Sequence, residues 1–510
     1  MNSAAPHAAA ADDLVITSRT HTDSGSVEKT EKWKTAKSAV IVCDMWDAHH
    51  CLNAVKRVNE MAPRMNQLLK KMREGGATII HAPSSCVDFY RDHPARRNAI
   101  GVPRSQNLPT GIGQWCDHIP AEKDYPLDQT DGGEDDAPDE HKKWAAELTA
   151  RGRNPRAPWK RQVATLEIAD ADFITDNGEE VWSILEARQI SNVLMVGVHT
   201  NMCVLGRPFG LRQLSSNGKN VILVRDLTDT MYNPARWPFV DHYQGNRLIQ
   251  RHIEKYVCGT TTSDQVLGGQ PFRFSKDQPR KCVVLCAEWL YGTDKTLKKF
   301  ADKILSDQLG FQTKILIAAK GQPGPEKMQQ ALSDADLVVL SMRRRALPAS
   351  DLKAFRKYLE RGKPLVAIRT SSHAFDTRGN HPQGHAEWQD FDTEVLGGDY
   401  TGHHPNGITS RITTVGEHPI LTGVSIRESA GSLYRSSPLG SRSQPLLMGE
   451  IGGKPGEPVA WTNQFGKSRV FYTSLGSQSD FDRPGFLRLL ENGCRWASGM
   501  KIGSEPNRKK

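Results

Sequence analysis

Apolar residues along the chain fall into short unbroken runs separated by amphipathic stretches, and this alternation recurs from end to end. Residues 39–43 form an apolar run closed by Asp44, the pattern of a strand covered on both faces. Across 53–74, Val55, Val58, Met61, Met65, Leu68, Leu69 and Met72 recur at three- and four-residue steps, which predicts one buried helical stripe. Gly75-Gly76 stops that helix and 77–81 predicts the next strand. From 82 to 162 the periodicity lapses into text rich in Pro, Gly, Asp and Trp, a length that marks a functional insertion rather than a connection. Alternation resumes with a helix over 180–188, a strand over 193–198, a helix over 204–216, a strand over 221–225 and a helix near 245–256. A Pro-containing polar hinge near 270–280 precedes a second series, with strands over 281–286, 314–318, 337–341, 364–368 and 468–473. Strand–helix–strand order of this kind predicts an α/β fold, here two parallel-sheet, three-layer α/β/α domains in tandem.

Length and charge refine this organisation. A chain of 510 residues is too long for one ordinary core. The expected layout is a flexible arm over 1–35, a first domain over 36–275 with its insertion at about 82–162, a second domain over 276–500, and a basic tail over 501–510. Nine cysteines without a Cys-x-x-Cys pair suit reduced thiols better than a disulfide framework. The net charge of +9 is mostly dispersed, apart from Arg343-Arg344-Arg345 and the last three residues. No aromatic–basic interleaving accompanies it, so neither nucleic acid nor membrane is expected as a partner. No run of eighteen apolar residues and no signal-peptide pattern is present, which points to a cytoplasmic location.

The candidate chemistry lies at strand ends, where open α/β sheets bind ligands. Asp44 closes the first strand. The strand 193–198 runs into His199-Thr200-Asn201-Met202-Cys203, which sets a cysteine on the first turn of a predicted helix, a setting that favours a thiolate. Val42-Cys43-Asp44-Met45-Trp46-Asp47 and Gly197 to Val204 resemble the aspartate and cysteine motifs of the isochorismatase-like cysteine hydrolases, over roughly 36–268. That resemblance implies hydrolysis of a small-molecule amide, ester or vinyl ether, with Cys203 as nucleophile and Asp44 as proton shuttle. It further implies a cis peptide near Val198–His199 and an oxyanion turn at His199 and Met202. Trp46, His49, Asn201, Arg207 and Arg225 are the candidate substrate contacts. The family's lysine has no counterpart: the corresponding text, Thr165 to Phe173, holds no basic residue. Lys160, Arg161, Arg207 and His199 are the candidates to replace it. No metal or other cofactor is expected; a divalent ion near Asp47, His49 and His81 ranks behind a reading of these groups as substrate-contacting or capping side chains.

Residues 280–500 resemble the trehalose-utilisation (ThuA-like) family, which has a class I glutamine amidotransferase-like fold. The matching segments run from Val395 to His404, Glu417 to Gly423, Pro458 to Trp461 and Gly466 to Gly476. The turn where that fold carries a cysteine is Arg369-Thr370-Ser371-Ser372-His373 here, so glutamine hydrolysis is not expected. His373, His381, His385, His403 and His404 make a carbohydrate- or metal-binding module conceivable. The leading reading is a hydrolase fused to a binding domain in a homo-oligomer. The alternative is a non-catalytic small-molecule or carbohydrate binding protein that has lost the lysine.

Overall fold

The computed structural model describes residues 13–23, 25–379 and 381–505. They divide into two compact units, one reaching Pro238 and including His242–Asp277, the other made of Phe239–Asp241 and the chain from Gln278 onward.

The first unit is built on eight strands: β1 (Asp13–Thr22), β2 (Gly25–Lys34), β3 (Ser38–Cys43), β4 (Thr78–Ala82), β5 (Phe173–Ile174), β6 (Asn192–Val198), β7 (Asn220–Asp229) and β8 (Gly259–Thr261). They lie in the order β2-β1-β8-β7-β6-β3-β4-β5. The strands from β8 to β5 are parallel, and β1 and β2 add an antiparallel hairpin at one edge. The segment expected to be a flexible arm is therefore ordered sheet over most of its length, with Ile16 and Trp33 in the core; residues 1–12 lie outside the described residues. Helices α1 (Leu52–Glu74), α2 (Pro94–Gly101), α3 (Pro138–Ala150), α4 (Gly178–Ala187), α5 (Leu211–Ser216) and α6 (His242–Tyr256) accompany it. The predicted stripe of α1 packs on β3, β6 and β7 through Val58, Met61, Met65, Leu68, Leu69 and Met72. Its start is fixed from far along the chain, because Asp136 accepts from the N–H groups of Leu52 (2.6 Å) and Asn53 (2.8 Å). A carboxylate there satisfies donors that the helix itself leaves unpaired.

The second unit carries β9 (Lys281–Ala287), β10 (Gln312–Ile317), β11 (Leu337–Met342), β12 (Leu365–Ile368), β13 (Ser410–Thr414), β14 (Glu428–Ser429), β15 (Gln444–Glu450), β16 (Glu457–Phe465) and β17 (Ser468–Thr473). Its sheet order is β10-β9-β11-β12-β17-β16-β15-β13-β14. Strands β10 to β17 in that order are parallel, whereas the remainder pair antiparallel. Both sheets are thus parallel through one continuous set of strands, as expected, and are extended by antiparallel strands. Apolar clusters cover both faces of this second sheet. Among the described residues, no helix is long and apolar enough to cross a membrane. The basic tail falls partly outside them, at 506–510.

Candidate active site

Asp44 and Cys203 leave the carboxyl ends of the adjacent strands β3 and β6. Gly197 permits the close approach of these strands: its φ is +113°, and a Cβ there would lie 2.0 Å from the Cys43 carbonyl oxygen. Asp44 adopts a left-handed φ of 48° and donates its N–H to Ala82 O at 3.0 Å. The Val198–His199 peptide is cis. Beyond it, Thr200–Val204 forms a single π-helical turn. The helix expected over 204–216 is interrupted at Arg207-Pro208-Phe209-Gly210 and resumes only as α5. Proline has no N–H to continue the ladder, so the segment turns instead, Gly210 N–H donating to Arg207 O at 2.7 Å. With so short a helical segment the macrodipole at Cys203 is small, and stabilisation of a thiolate falls to side chains.

Arg207 supplies it. Its Nε donates to Asp44 Oδ2 at 3.0 Å, while Ser84 N–H donates to Asp44 Oδ1 at 2.8 Å. The Cys203 thiol interacts with the same carboxyl group. Burial raises the Asp44 pKa, against the pull of Arg207, Ser84 and Cys203. Burial, followed by the negative charge of Asp44, pushes the Cys203 thiol well up, and Arg207 and the His199 N–H oppose this. The resting group is a neutral thiol beside a buried carboxyl group that is paired with a guanidinium. Of the four candidates to replace a lysine, Arg207 is the one whose side chain pairs with Asp44. Lys160 and Arg161 instead present their N–H groups to Asp47.

Trp46, His49 and His199 come together beside this trio. The rings of Trp46 and His199 lie 6.3 Å apart and those of His49 and His199 4.8 Å apart. Other predicted contacts are placed differently. The Asn201 amide is consumed by Met231, donating to its carbonyl at 2.7 Å and accepting from its N–H at 2.8 Å. Met202 N–H donates to His199 O at 3.0 Å, so in this state it is not free for an oxyanion. Arg225 lies four residues before the end of β7 and donates to Thr260 Oγ1 at 3.2 Å, in a separate cleft with Arg19, Tyr243 and Phe272. The three residues weighed as metal ligands fall into separate networks: Asp47 pairs with Arg153 (2.8 Å), His49 Nδ1 accepts from Cys51 N–H (3.2 Å), and His81 bonds both Gln162 (3.1 Å) and Asp172 (3.2 Å). Asp172, from the acidic text where a lysine belongs, also pairs with Arg73 at 2.7 Å.

The insertion closes over the site. Trp159 stacks on Trp46 with ring centroids 4.8 Å apart, Trp144 Nε1 donates to His49 O (2.9 Å), and Tyr125 Oη donates to Asn201 O (2.7 Å). Trp115 lies under the Arg207 guanidinium at 5.3 Å and fills the space that a Cβ on Gly206 would need. Sequence reasoning missed these aromatic contacts and the Ser84 N–H. Ser84 follows the end of β4, the signal that could have identified it.

His199 makes the unit acid-sensitive. Burial, reinforced by Arg57 and neighbouring imidazoles, pushes its pKa down to about 3. An unfolded chain takes up that proton near pH ~6.5, before the folded one, so this contribution to stability is complete above that pH. It is lost at about 1.4 kcal/mol per pH unit as the pH falls toward 3. Urea unfolding at pH 6 and 5 is expected to give His199→Phe a shallower loss by about this amount; parallel losses in the two proteins would contradict it.

Residues 38–237 match the isochorismatase domain family model, and residues 301–497 match the ThuA model, described as trehalose utilisation. Similar solved structures include a ThuA-like protein from Bacteroides uniformis ATCC 8492, 17% identical over 45% of this chain and 95% of that one, with a TM-score of 0.35. A cysteine hydrolase from Pseudomonas syringae pv. phaseolicola 1448A is 16% identical over 46% and 93%, TM-score 0.28. An isochorismatase family protein from Burkholderia thailandensis is 14% identical over 45% and 94%, TM-score 0.26. No curated protein matches the chain. The first unit is thus an α/β domain with a cysteine–carboxylate pair at the edge of its sheet. The isochorismatase match lies within the first unit and the ThuA match within the second.

Proposed function

We propose that the first unit hydrolyses a small-molecule amide or ester through Cys203. The observation that supports this best is the Asp44 carboxyl group, which holds the Cys203 thiol and the Arg207 guanidinium at once. In the first half-reaction Asp44 takes the thiol proton as sulfur attacks the carbonyl carbon. The carbon–leaving-group bond then breaks, and Asp44 delivers the proton to the departing nitrogen or oxygen. In the second, water attacks the thioester, Asp44 takes its proton, and the acid leaves as the proton returns to sulfur. The negative charge that starts on Asp44 passes through the attacking sulfur to the oxygen of the tetrahedral intermediate and returns to Asp44 as the leaving group takes the proton, with Arg207 as the counter-charge beside both residues. Nucleophile, proton carrier and counter-charge all come from this chain, so the proposal requires no metal.

A second reading, a binding unit without catalysis, is favoured by the burial that keeps the thiol protonated. Mass spectrometry of the Cys203 peptide separates the two. With activated esters, the hydrolase gives a Cys203 acyl adduct that decays in water, and Asp44→Asn abolishes its turnover. Asp44→Asn also removes the charge that raises the thiol pKa, so iodoacetamide labels Cys203 faster in this variant at pH 8. Absence of any adduct, or turnover unchanged in Cys203→Ala, would overturn the proposal in favour of the binding reading.

A further inference from the structure

The second unit holds a cavity of about 680 Å³ at the carboxyl ends of its parallel strands, the edge where such sheets receive ligands. Arg343 and Arg344 enter it directly after β11, and Ser372 and His373 enter from the turn that follows β12. Arg378 extends the cationic side. The His373 ring stacks on Tyr400 at 4.5 Å, and its Nδ1 meets Ser372 Oγ at 3.1 Å. This places the other ring nitrogen, Nε2, on the remaining edge of a ring that is 6% exposed. Burial, then the guanidiniums of Arg344, Arg343 and Arg378, push the His373 pKa down to about 3, which keeps its imidazole neutral.

Asp392 also lines the cavity, its pKa raised to about 7 by burial. It is 6% exposed; one carboxyl oxygen accepts from Tyr400 N–H at 2.7 Å, and Oδ1 has no partner. A buried acceptor left unpaired costs roughly 1–3 kcal/mol, so such an atom marks where a donor from outside belongs. The lining thus combines guanidinium donors for an oxyanion, Arg343, Arg344, Arg378 and Arg435, with carboxyl acceptors for hydroxyl groups, Asp390, Asp392 and Asp399. Its volume falls in the range of small-molecule sites, far above what a lone phosphate ion requires.

We propose that this cavity binds a small hydroxylated oxyanion, a phosphorylated or carboxylated polyol. Arg343 and Arg378 grip the anionic group, Arg344 stays anchored by Asp376 at 3.0 Å, and Asp392 accepts from a ligand hydroxyl. Forked guanidiniums suit both phosphate and carboxylate geometry. This site is independent of Cys203.

Calorimetric titration of the full chain with glucose 6-phosphate, gluconate, glucose and inorganic phosphate tests the proposal. At least one of the two anionic sugars is expected to bind tenfold or more tightly than both glucose and inorganic phosphate, and which one does so identifies the anion. The exposed pair Arg343→Gln/Arg378→Gln should weaken that binding tenfold or more with the melting temperature unchanged. Asp392→Asn should weaken the sugar anion and leave inorganic phosphate unaffected, while Cys203→Ala should bind as the wild type does. Glucose binding as tightly as the anions, no binding of any probe at millimolar concentration, or binding indifferent to the arginine pair would overturn it.

Discussion

Arg207→Gln is expected to slow hydrolysis at Cys203 by about 10²–10³-fold, the scale on which removal of one preorganised charge from an active site is felt. The guanidinium is the counter-charge of a carboxylate that is itself fully buried. Without it, only the hydrogen-bonding partners Ser84 and Cys203 oppose the burial that already raises the Asp44 pKa, so the carboxyl group is a weaker acid and a poorer carboxylate to receive the thiol proton. The Cys203 thiol, which Arg207 holds down, rises further. Both shifts act in the same direction, moving the basic pair out of reach. The rate loss should therefore lie in kcat, with the alkaline rise of kcat/KM displaced to higher pH. Arg207→Lys restores the charge without the forked donor and should recover part of the rate. Wild-type kcat in Arg207→Gln would mean that the cysteine is activated without this cation.

Arg207 also illustrates what the sequence could not convey. It follows Cys203 by four residues, and on a continuous helix it would point along the same face as the cysteine. The chain breaks only after it, at Pro208: Arg207 N–H still donates to Cys203 O at 3.0 Å, and the guanidinium beside the cysteine reaches Asp44, a residue 163 positions away that no local pattern connects to it. Asp44 and Cys203 were legible because unbroken apolar runs locate strand ends to within a residue or two. Arg225 misled for the same reason: the apolar run ends there, but β7 continues through polar residues to Asp229, so the residue at the strand's end is another one. The hairpin β1–β2 escaped notice because its alternate positions are Thr, Lys and Glu, which an edge strand facing solvent tolerates. The insertion was recognised as functional from length alone. Its contacts join distant parts of the chain, Tyr125 to Asn201 over 76 positions and Trp144 to His49 over 95, and no local pattern encodes them.

Replacing Arg57 should have the largest effect on stability. From α1 it donates to Asp229 at 2.7 Å through Nε and to Asp135 at 2.8 Å through Nη1. His242 lies between the same two carboxylates, at 2.9 Å and 3.3 Å. Arg57 and Asp229 are almost fully buried, and Arg57 and His242 hold the Asp229 pKa far below the carboxylate range against the cost of burial. Asp229 ends β7 and Asp135 belongs to the insertion, so this one side chain ties the lid of the site to its sheet. Arg57→Ala strands two carboxylates in the interior, at a cost of about 3–5 kcal/mol. At roughly 2–4 °C per kcal/mol for a unit of this size, its melting temperature should fall by about 6–20 °C. The penalty belongs to the orphaned charges more than to the lost bonds. Arg57→Met combined with Asp135→Asn and Asp229→Asn should therefore be more stable than Arg57→Ala alone, although it lacks every ion pair of the cluster. Iodoacetamide labelling of Cys203 should meanwhile accelerate in Arg57→Ala, because the insertion it releases covers the thiol. A variant with an unchanged melting temperature and unchanged labelling would show that the lid is held by its aromatic contacts rather than by this charge.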